Sequence, residues 1–227
     1  MQLRSPFSAL ALVAGALVIM PAASQAALYD FTSAGWSGAD GQATFTSGNV
    51  TAAALPSGNL LSSQAFDGSP AACGSGLACA RDGLGIGDDE VTYGAAATRE
   101  VLRLTFNTAV NITGIDFLDL FQAQTQTSDP STEVARFRVT FAGGSTADGT
   151  ATGTALDTTG FLRLATLFNN VKQIDFFAAA PSPENTDFAV AAISGAVVPI
   201  PAALPLLGSA LAGLGVFGRR RSPATAA

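Results

Sequence analysis

Histidine is absent from the 227-residue sequence, and its absence excludes several classes of enzyme. Ser-His-Asp and Cys-His nucleophiles need an imidazole base, and histidine-ligated zinc sites need imidazole ligands. A carboxylate pair is the remaining route to catalysis. The nearest candidates, Asp116 and Asp119, are three positions apart and would point to opposite faces of a strand. We therefore expect a protein that is not an enzyme.

Positive charge is also scarce. Of the 11 basic residues, four are arginines of the terminal segments, at positions 4, 219, 220 and 221, which leaves seven basic against 17 acidic residues between positions 27 and 197. The net charge of this central part is therefore −10. A surface so acidic repels phosphate backbones, and no glycine-rich phosphate loop or dinucleotide fingerprint is present. We expect no nucleic-acid partner.

The N-terminal segment has the order of a secretory signal peptide. Arg4 precedes an apolar stretch, Phe7–Met20, and Ser24 and Ala26 supply the small residues of a cleavage site. An uncleaved anchor is the alternative, but the apolar run is short for one. This order predicts a signal peptide over residues 1–26, cut after Ala26, and hence an exported protein.

Only two cysteines are present, Cys73 and Cys79, in the stretch CGSGLAC. In an oxidising compartment an even count of two favours a disulfide, and the glycines between them allow a tight turn. A zinc site would need two more good ligands and a catalytic cysteine would need a histidine, so the structural bridge is preferred.

The C-terminal segment is apolar and then basic. Ile200–Phe217 is 18 residues without a charge, about 27 Å as a helix and just long enough to cross a bilayer core. Arg219, Arg220 and Arg221 follow, and the positive-inside rule would hold them on the cytoplasmic side. A plain single-pass anchor is one reading of this segment.

The residues before the apolar run add a motif. Val198, Pro199, Ile200, Pro201 and Ala202, followed by the apolar helix and the arginines, resemble the VPLPA-CTERM variant of the PEP-CTERM sorting signals. The chain departs from that variant in having isoleucine where leucine is usual and six residues after the last arginine. The resemblance covers only the tail.

The resemblance implies a Gram-negative bacterial protein, with residues 198–227 as its sorting signal. The export machinery and an exosortase, a membrane-embedded cysteine transpeptidase-like enzyme, would handle it. The protein would be anchored in the inner membrane until cleavage near the motif, and then delivered to the cell surface or the extracellular matrix. The resemblance therefore predicts where the protein is delivered and not what it does there.

Residues 27–197 carry short stretches of alternating polarity joined by Gly, Asn and Asp turns. Leu102, Leu104 and Phe106 would share one face of a strand, and Val134–Phe141 alternates in the same way. The alternation changes phase at Gly114, which predicts a β-bulge. The stretch GFLRLATLF fits a strand or a short helical turn. The pattern predicts an all-β domain, an antiparallel β-sandwich that is jelly-roll-like.

Acidic residues concentrate between positions 81 and 94, where Asp82, Asp88, Asp89 and Glu90 lie on a glycine-rich backbone. Calcium takes six to eight oxygen ligands from such flexible loops, so these four are tentative Ca²⁺ ligands. The spacing is not that of an EF-hand, and a solvated acidic loop is the alternative.

The same region carries a second resemblance. DGLGIGDDEV, followed by REVLRLTF and ITGIDFLDLF, is similar to the sandwich domain of many PEP-CTERM proteins over roughly Arg81–Phe121. In that domain a Gly- and Asp-rich loop precedes a Glu-x-Leu-x-Leu-x-Phe strand. The resemblance leaves the ligand of the domain open.

Two aromatic residues are candidates for stacking on a sugar ring, Trp36 and Tyr93, although a lone tryptophan in a sandwich often caps the core. Two functions follow. The first is a non-enzymatic component of the cell surface or extracellular matrix. The alternative is a calcium-assisted, lectin-like module that binds exopolysaccharide.

Overall fold

The computed structural model of the protein describes residues 26–68, 73–88, 90–93, 99–123, 131–154, 159–178 and 187–198, together with Leu211. The predicted signal peptide before Ala26 lies outside these residues, as does the predicted sorting signal beyond Val198 apart from Leu211. Across the described ranges, no helix has the length and apolar character needed to span a membrane.

The described chain is built from ten β-strands and one short 3-10 helix, Ala34–Ala39. The strands are β1 (Ala26–Asp30), β2 (Thr44–Ser47), β3 (Val50–Leu55), β4 (Leu61–Ser62), β5 (Gly85–Ile86), β6 (Val101–Leu118), β7 (Val134–Phe141), β8 (Thr146–Thr152), β9 (Leu162–Ala178) and β10 (Ala189–Val197). All pairings between these strands are antiparallel, so the predicted all-β antiparallel class is confirmed.

Eight of the strands form one continuous sheet, in the order β1-β10-β6-β9-β7-β8, with β3 also paired to β6 and β2 paired to β3. β3 pairs with the first part of β6, and β10 pairs with the last part along the same edge. β9 follows the other edge of β6 through both parts. β4 and β5 form a small separate pair.

The alternation of polar and apolar residues positions the strands as predicted. Leu102, Leu104 and Phe106 of β6 are fully buried, whereas Arg103 between them is only partly buried. In β7 the buried positions also alternate with exposed ones, among them Arg136. The first part of β6 and all of β7 therefore give one face to the core and the other toward solvent, whereas the end of β6 and most of β10 are buried on both faces.

The phase change at Gly114 corresponds to an irregularity in pairing, as predicted. The register of β6 shifts between Ile112 and Gly114 against β9, and the pairing of β10 shifts at the same place. All but the first two residues of the stretch GFLRLATLF belong to β9, so its reading as a helical turn is wrong. Its outward residues, such as Leu167, alternate with partly buried ones.

Aromatic contacts show that the two long strands bend. Phe176 of β9 lies opposite Leu102, yet its ring centroid is only 6.0 Å from that of Phe117. Phe117 comes fifteen residues after Leu102, which would be about 50 Å along a straight strand. Tyr29 of β1 likewise reaches Phe106, at 5.6 Å between centroids. The sheet therefore folds back on itself, and the core lies between its two halves.

The bend is held by side chains that take over backbone pairing. On one edge of β6, the carboxamide of Asn49 accepts a hydrogen bond from the Thr108 N–H (2.7 Å) and donates one to the Thr108 carbonyl (3.0 Å). On the other edge, Asn111 accepts a hydrogen bond from the Asn170 N–H at 2.9 Å. These contacts satisfy backbone groups where the ladder is interrupted.

The first prediction concerns the folded-over core. Phe117→Ala removes a buried ring that contacts Phe176 and Phe188, so we expect unfolding free energy to fall by about 3–5 kcal/mol. Urea unfolding followed by fluorescence measures it. Leu167→Ala is the control, because that side chain is 69% exposed. A loss at Phe117 no larger than the control loss would contradict the contact between the two halves.

Candidate functional site

The acidic loop is tied to the sheet through its backbone. The N–H and carbonyl groups of Leu84 and Val190 bond reciprocally at 3.0 Å, and the Val91 N–H donates to the Phe188 carbonyl at 2.8 Å. Gly83 has a φ of +104° and lies against the Val190 carbonyl, where a Cβ atom would be only 2.6 Å from the oxygen. The glycine is therefore needed for this close approach.

The carboxylates of the tentative calcium site differ in their surroundings. Asp82 is buried, Asp88 is exposed and Glu90 is half-buried, while Asp89 lies outside the described residues. In the described part of the chain, no three His, Cys, Asp or Glu side chains come together as a metal-binding group. The described loop therefore lends no support to the calcium site.

Glu100 is a carboxylate of this region that the sequence did not single out. Its Oε2 accepts hydrogen bonds from the Thr92 N–H (2.8 Å) and the Thr92 hydroxyl (2.9 Å). Burial raises the pKa of the Glu100 carboxyl, the Thr92 hydrogen bonds lower it, and the charge of Asp88 raises it, with a net pKa above the ordinary value. The contact depends on the pairing of Tyr93 with Arg99, which a sequence pattern does not reveal.

Neither aromatic candidate offers a free ring. Trp36 is only 5% exposed and packs edge-on against Phe31 at 4.8 Å and Phe45 at 5.5 Å between centroids. Its ring leaves no face for a sugar, so a stacking role for Trp36 is contradicted. Tyr93 is partly buried and packs against the main core.

Cys73 and Cys79 form the disulfide that the cysteine count predicts, with their Cα atoms 6.1 Å apart. This separation lies in the usual range for a disulfide. Cys73 is fully buried against Leu118 and the neighbouring residues of β10, in a small second cluster on the sheet that also includes Phe66 and Phe161. The bridge therefore covers part of the sheet and also closes a loop.

Asp30, the last residue of β1, and Thr32 hold the disulfide loop in place. Asp30 Oδ1 accepts a hydrogen bond from the Thr32 hydroxyl at 2.6 Å, and Asp30 Oδ2 accepts one from the Ala78 N–H at 2.9 Å. The Thr32 hydroxyl oxygen in turn accepts a hydrogen bond from the Cys79 N–H at 3.0 Å. Because the hydrogen bonds of Asp30 and Thr32 to Ala78 and Cys79 join residues far apart in sequence, no local sequence motif predicts them.

Arginine partners occupy several carboxylates of the sheet. Asp116, which is almost fully buried, receives two hydrogen bonds from Arg163 at 2.7 and 2.8 Å. Asp175 receives two from Arg103, both at 2.8 Å. The hydrogen bond to Asp116 raises the pKa of Arg163. The carboxylate considered for catalysis, Asp116, therefore has a structural partner.

A pocket of about 390 Å³ lies on the outward face of β7, β8 and β9. Its lining comes from these three strands and from a position two residues before β6, namely Arg99, Arg136, Phe137, Arg138, Asp148, Gly149, Thr150 and Phe177. The sequence predicted that Arg136 and Arg138 face outward, but it did not predict a pocket. Only the register of β7 with its two neighbours brings these residues together.

Comparisons with known proteins add little. No protein-family model matches the chain, and no curated protein matches it. A solved structure that resembles part of it is the crystal structure of the C-terminal domain of a chitobiase from Bacteroides fragilis, at 19% identity and a TM-score of 0.29. The match covers 45% of this chain and 66% of that chain, which is less than two thirds of its length. A likeness this low carries no argument about function.

The second prediction concerns the disulfide. Replacing Cys73 and Cys79 together with alanine releases a short loop, and loop entropy predicts a loss of roughly 2 kcal/mol of unfolding free energy. Thermal unfolding in oxidising buffer measures the loss, and the unaltered protein treated with a reductant is the control. A melting temperature equal to that of the unaltered protein would contradict a stabilising bridge.

The third prediction concerns Glu100. Because its folded-state pKa is raised, the stability linked to its protonated form is present at low pH and is lost as pH rises through the folded-state pKa. Glu100→Gln keeps an acceptor for Thr92 and removes the charge. We therefore expect the melting temperature of Glu100→Gln to increase relative to that of the unaltered protein as the pH is raised from about 4 to about 7.

Asp67→Asn is the matched control for Glu100→Gln, because it removes one negative charge from an exposed position. A melting-temperature difference between Glu100→Gln and the unaltered protein that stays constant across this pH range would contradict the raised pKa. The same would follow if Asp67→Asn reproduced the full effect, since general charge reduction would then explain it.

Proposed function

We propose that this chain is an exported protein of a Gram-negative bacterium, with its β domain (residues 27–197) displayed at the cell surface or in the extracellular matrix. An exosortase would process it through the C-terminal sorting signal. The tail motif from Val198 to Ala202, with the apolar run and arginines behind it, is the observation that carries this proposal.

The position of the chain ends supports this arrangement. Ala26, at the exposed start of β1, pairs with Ala196 near the end of β10. Val198, the first residue of the motif, donates its N–H to the Ala109 carbonyl at 2.9 Å. Ala26 and Val198, the residues next to the two proposed cleavage regions, therefore lie toward the same end of β1 and β10. Cleavage at both sites would leave the core of the domain intact.

We further infer that the folded sheet is a β-sandwich whose two layers share β6 and β9. The contacts of Phe117 with Phe176 and of Tyr29 with Phe106 support it, because each joins residues of opposite halves of the sheet. A jelly roll has two separate sheets, whereas these strands form one hydrogen-bonded sheet. The inference is therefore a sandwich made by folding one sheet.

A non-enzymatic role is part of the proposal. The chain has no histidine, and Asp116 and Asp175 are each held by an arginine. The calcium-assisted lectin is the weaker alternative. It needs an exposed aromatic ring and converging carboxylates near positions 82–90, and burial of Trp36 weighs against it.

The fourth prediction tests the C-terminal sorting signal. Changing Arg219, Arg220 and Arg221 together to glutamine removes the charges that would hold the end of the apolar helix on the cytoplasmic side. We expect unprocessed precursor to accumulate and surface delivery to fall. Intact-mass measurement of the fractionated protein checks it, and the triple lysine variant, which keeps the charges, is the control. Unaltered mature mass and location in the glutamine variant would contradict the proposed sorting signal.

A further inference from the structure

The pocket on the outward face of β7, β8 and β9 collects positive charge in an acidic protein. Three of the seven basic residues between positions 27 and 197 line it, Arg99, Arg136 and Arg138. Asp148 is the one acidic residue among the lining residues given for this pocket. The lining therefore carries a net charge of +2 in a central part whose net charge is −10.

The three arginines are not equivalent. Arg138 holds Asp148 through two hydrogen bonds, at 2.7 and 3.0 Å, and lowers the pKa of that carboxyl. Within the described ranges, no hydrogen bond or ion pair engages the guanidinium of Arg99 or Arg136. Both side chains are exposed, so their N–H donors are available to a ligand.

Phe177 positions these two arginines around one ring. The Arg99 guanidinium carbon lies 4.0 Å from the centroid of the Phe177 ring, a cation–π arrangement that limits the motion of a long side chain. Arg136 is the register partner of Phe177 on the neighbouring strand. An arginine already ordered by stacking loses less entropy when it binds an anion.

The shape and chemistry of the pocket define its ligand. The fork of an arginine matches the two oxygens of a carboxylate, and Thr150 supplies a hydroxyl beside Arg136. A volume of about 390 Å³ lies in the range of small-molecule pockets and exceeds what a single ion needs. Since the central part of the chain has a net charge of −10, long polyanions are repelled and short anionic ligands are favoured.

We propose that this pocket binds a short carboxylated saccharide, of the uronic-acid class, with its carboxylate held between Arg99 and Arg136. The choice of a saccharide rests on the proposed function, which puts the domain at the cell surface or in the extracellular matrix. The anion site itself rests on the geometry alone.

The test uses the full chain in a non-ionic detergent and isothermal titration with trigalacturonate. The fully methyl-esterified trisaccharide, which lacks the charges, is the matched ligand control. Sodium phosphate and sodium sulfate are separate arms. We expect the acid to bind, the ester to bind at least about tenfold more weakly, and the acid's affinity to fall as salt rises from about 50 to about 300 mM.

Arg99→Gln and Arg136→Gln are the site variants, and Lys172→Gln, which removes one positive charge away from the pocket lining, is the matched protein control. We expect a loss of about ten- to a hundredfold for each site variant and less than about threefold for the control. Unchanged melting temperatures will show that the exposed substitutions leave the fold intact.

Several outcomes would overturn the inference. They are absence of binding by the unaltered protein, equal binding of acid and ester, and an equal loss in the lysine control. Tighter binding of inorganic phosphate or sulfate than of trigalacturonate would mean that the pocket is a general anion site and not a saccharide site. Export and processing are measured independently of this titration, so failure of the proposed function and failure of this inference give different results.

Discussion

β6 and β9 pair in two stretches on either side of a bend, and every other strand of the large sheet attaches to one of them directly or through one neighbour. Neither half of the sheet would have a core alone, because the buried faces meet only when both strands bend together. The register shifts between Thr105 and Val110 and around Ile112 allow that bend. The interrupted edge of β6 is then completed by Asn49 and Val198, which bond to its free backbone groups.

Val198 thus has a structural role within the tail motif. Its N–H closes the gap that β3 and β10 leave on β6, and the chain enters the proline-rich segment at the next residue. Proline lacks the N–H that a regular ladder requires, so the sequence after Val198, with prolines at positions 199 and 201, does not favour a further strand. Backbone chemistry and the change in composition therefore both agree with the proposed end of the β domain.

Local patterns predicted what depends on neighbours in sequence. The faces of β6 and β7 follow from alternation, and the bulge follows from the phase change at Gly114. The continuity of β6 through residues 107–109 was not predictable in this way, because Asn49 and Val198 supply the pairing from distant parts of the chain. Burial of Trp36 agrees with the alternative that a lone tryptophan caps the core, and its ring packs against Phe31 and Phe45.

The candidate sites also differ in whether they depend on neighbours in sequence or on distant parts of the chain. A cluster of carboxylates in one loop is easy to see in a sequence. Their exposure nevertheless differs, with Asp82 buried and Asp88 exposed, because the backbone between them pairs with β4 and β10. The arginine pocket has no local signature, since Arg136 and Phe177 are brought together by strand register alone. In a chain this acidic, Arg99 and Arg136 are unusual because neither guanidinium has a carboxylate or hydrogen-bond partner among the described residues. An anionic ligand would supply the missing partner, which is why the outward face of β7 and β9 is the strongest candidate for recognition.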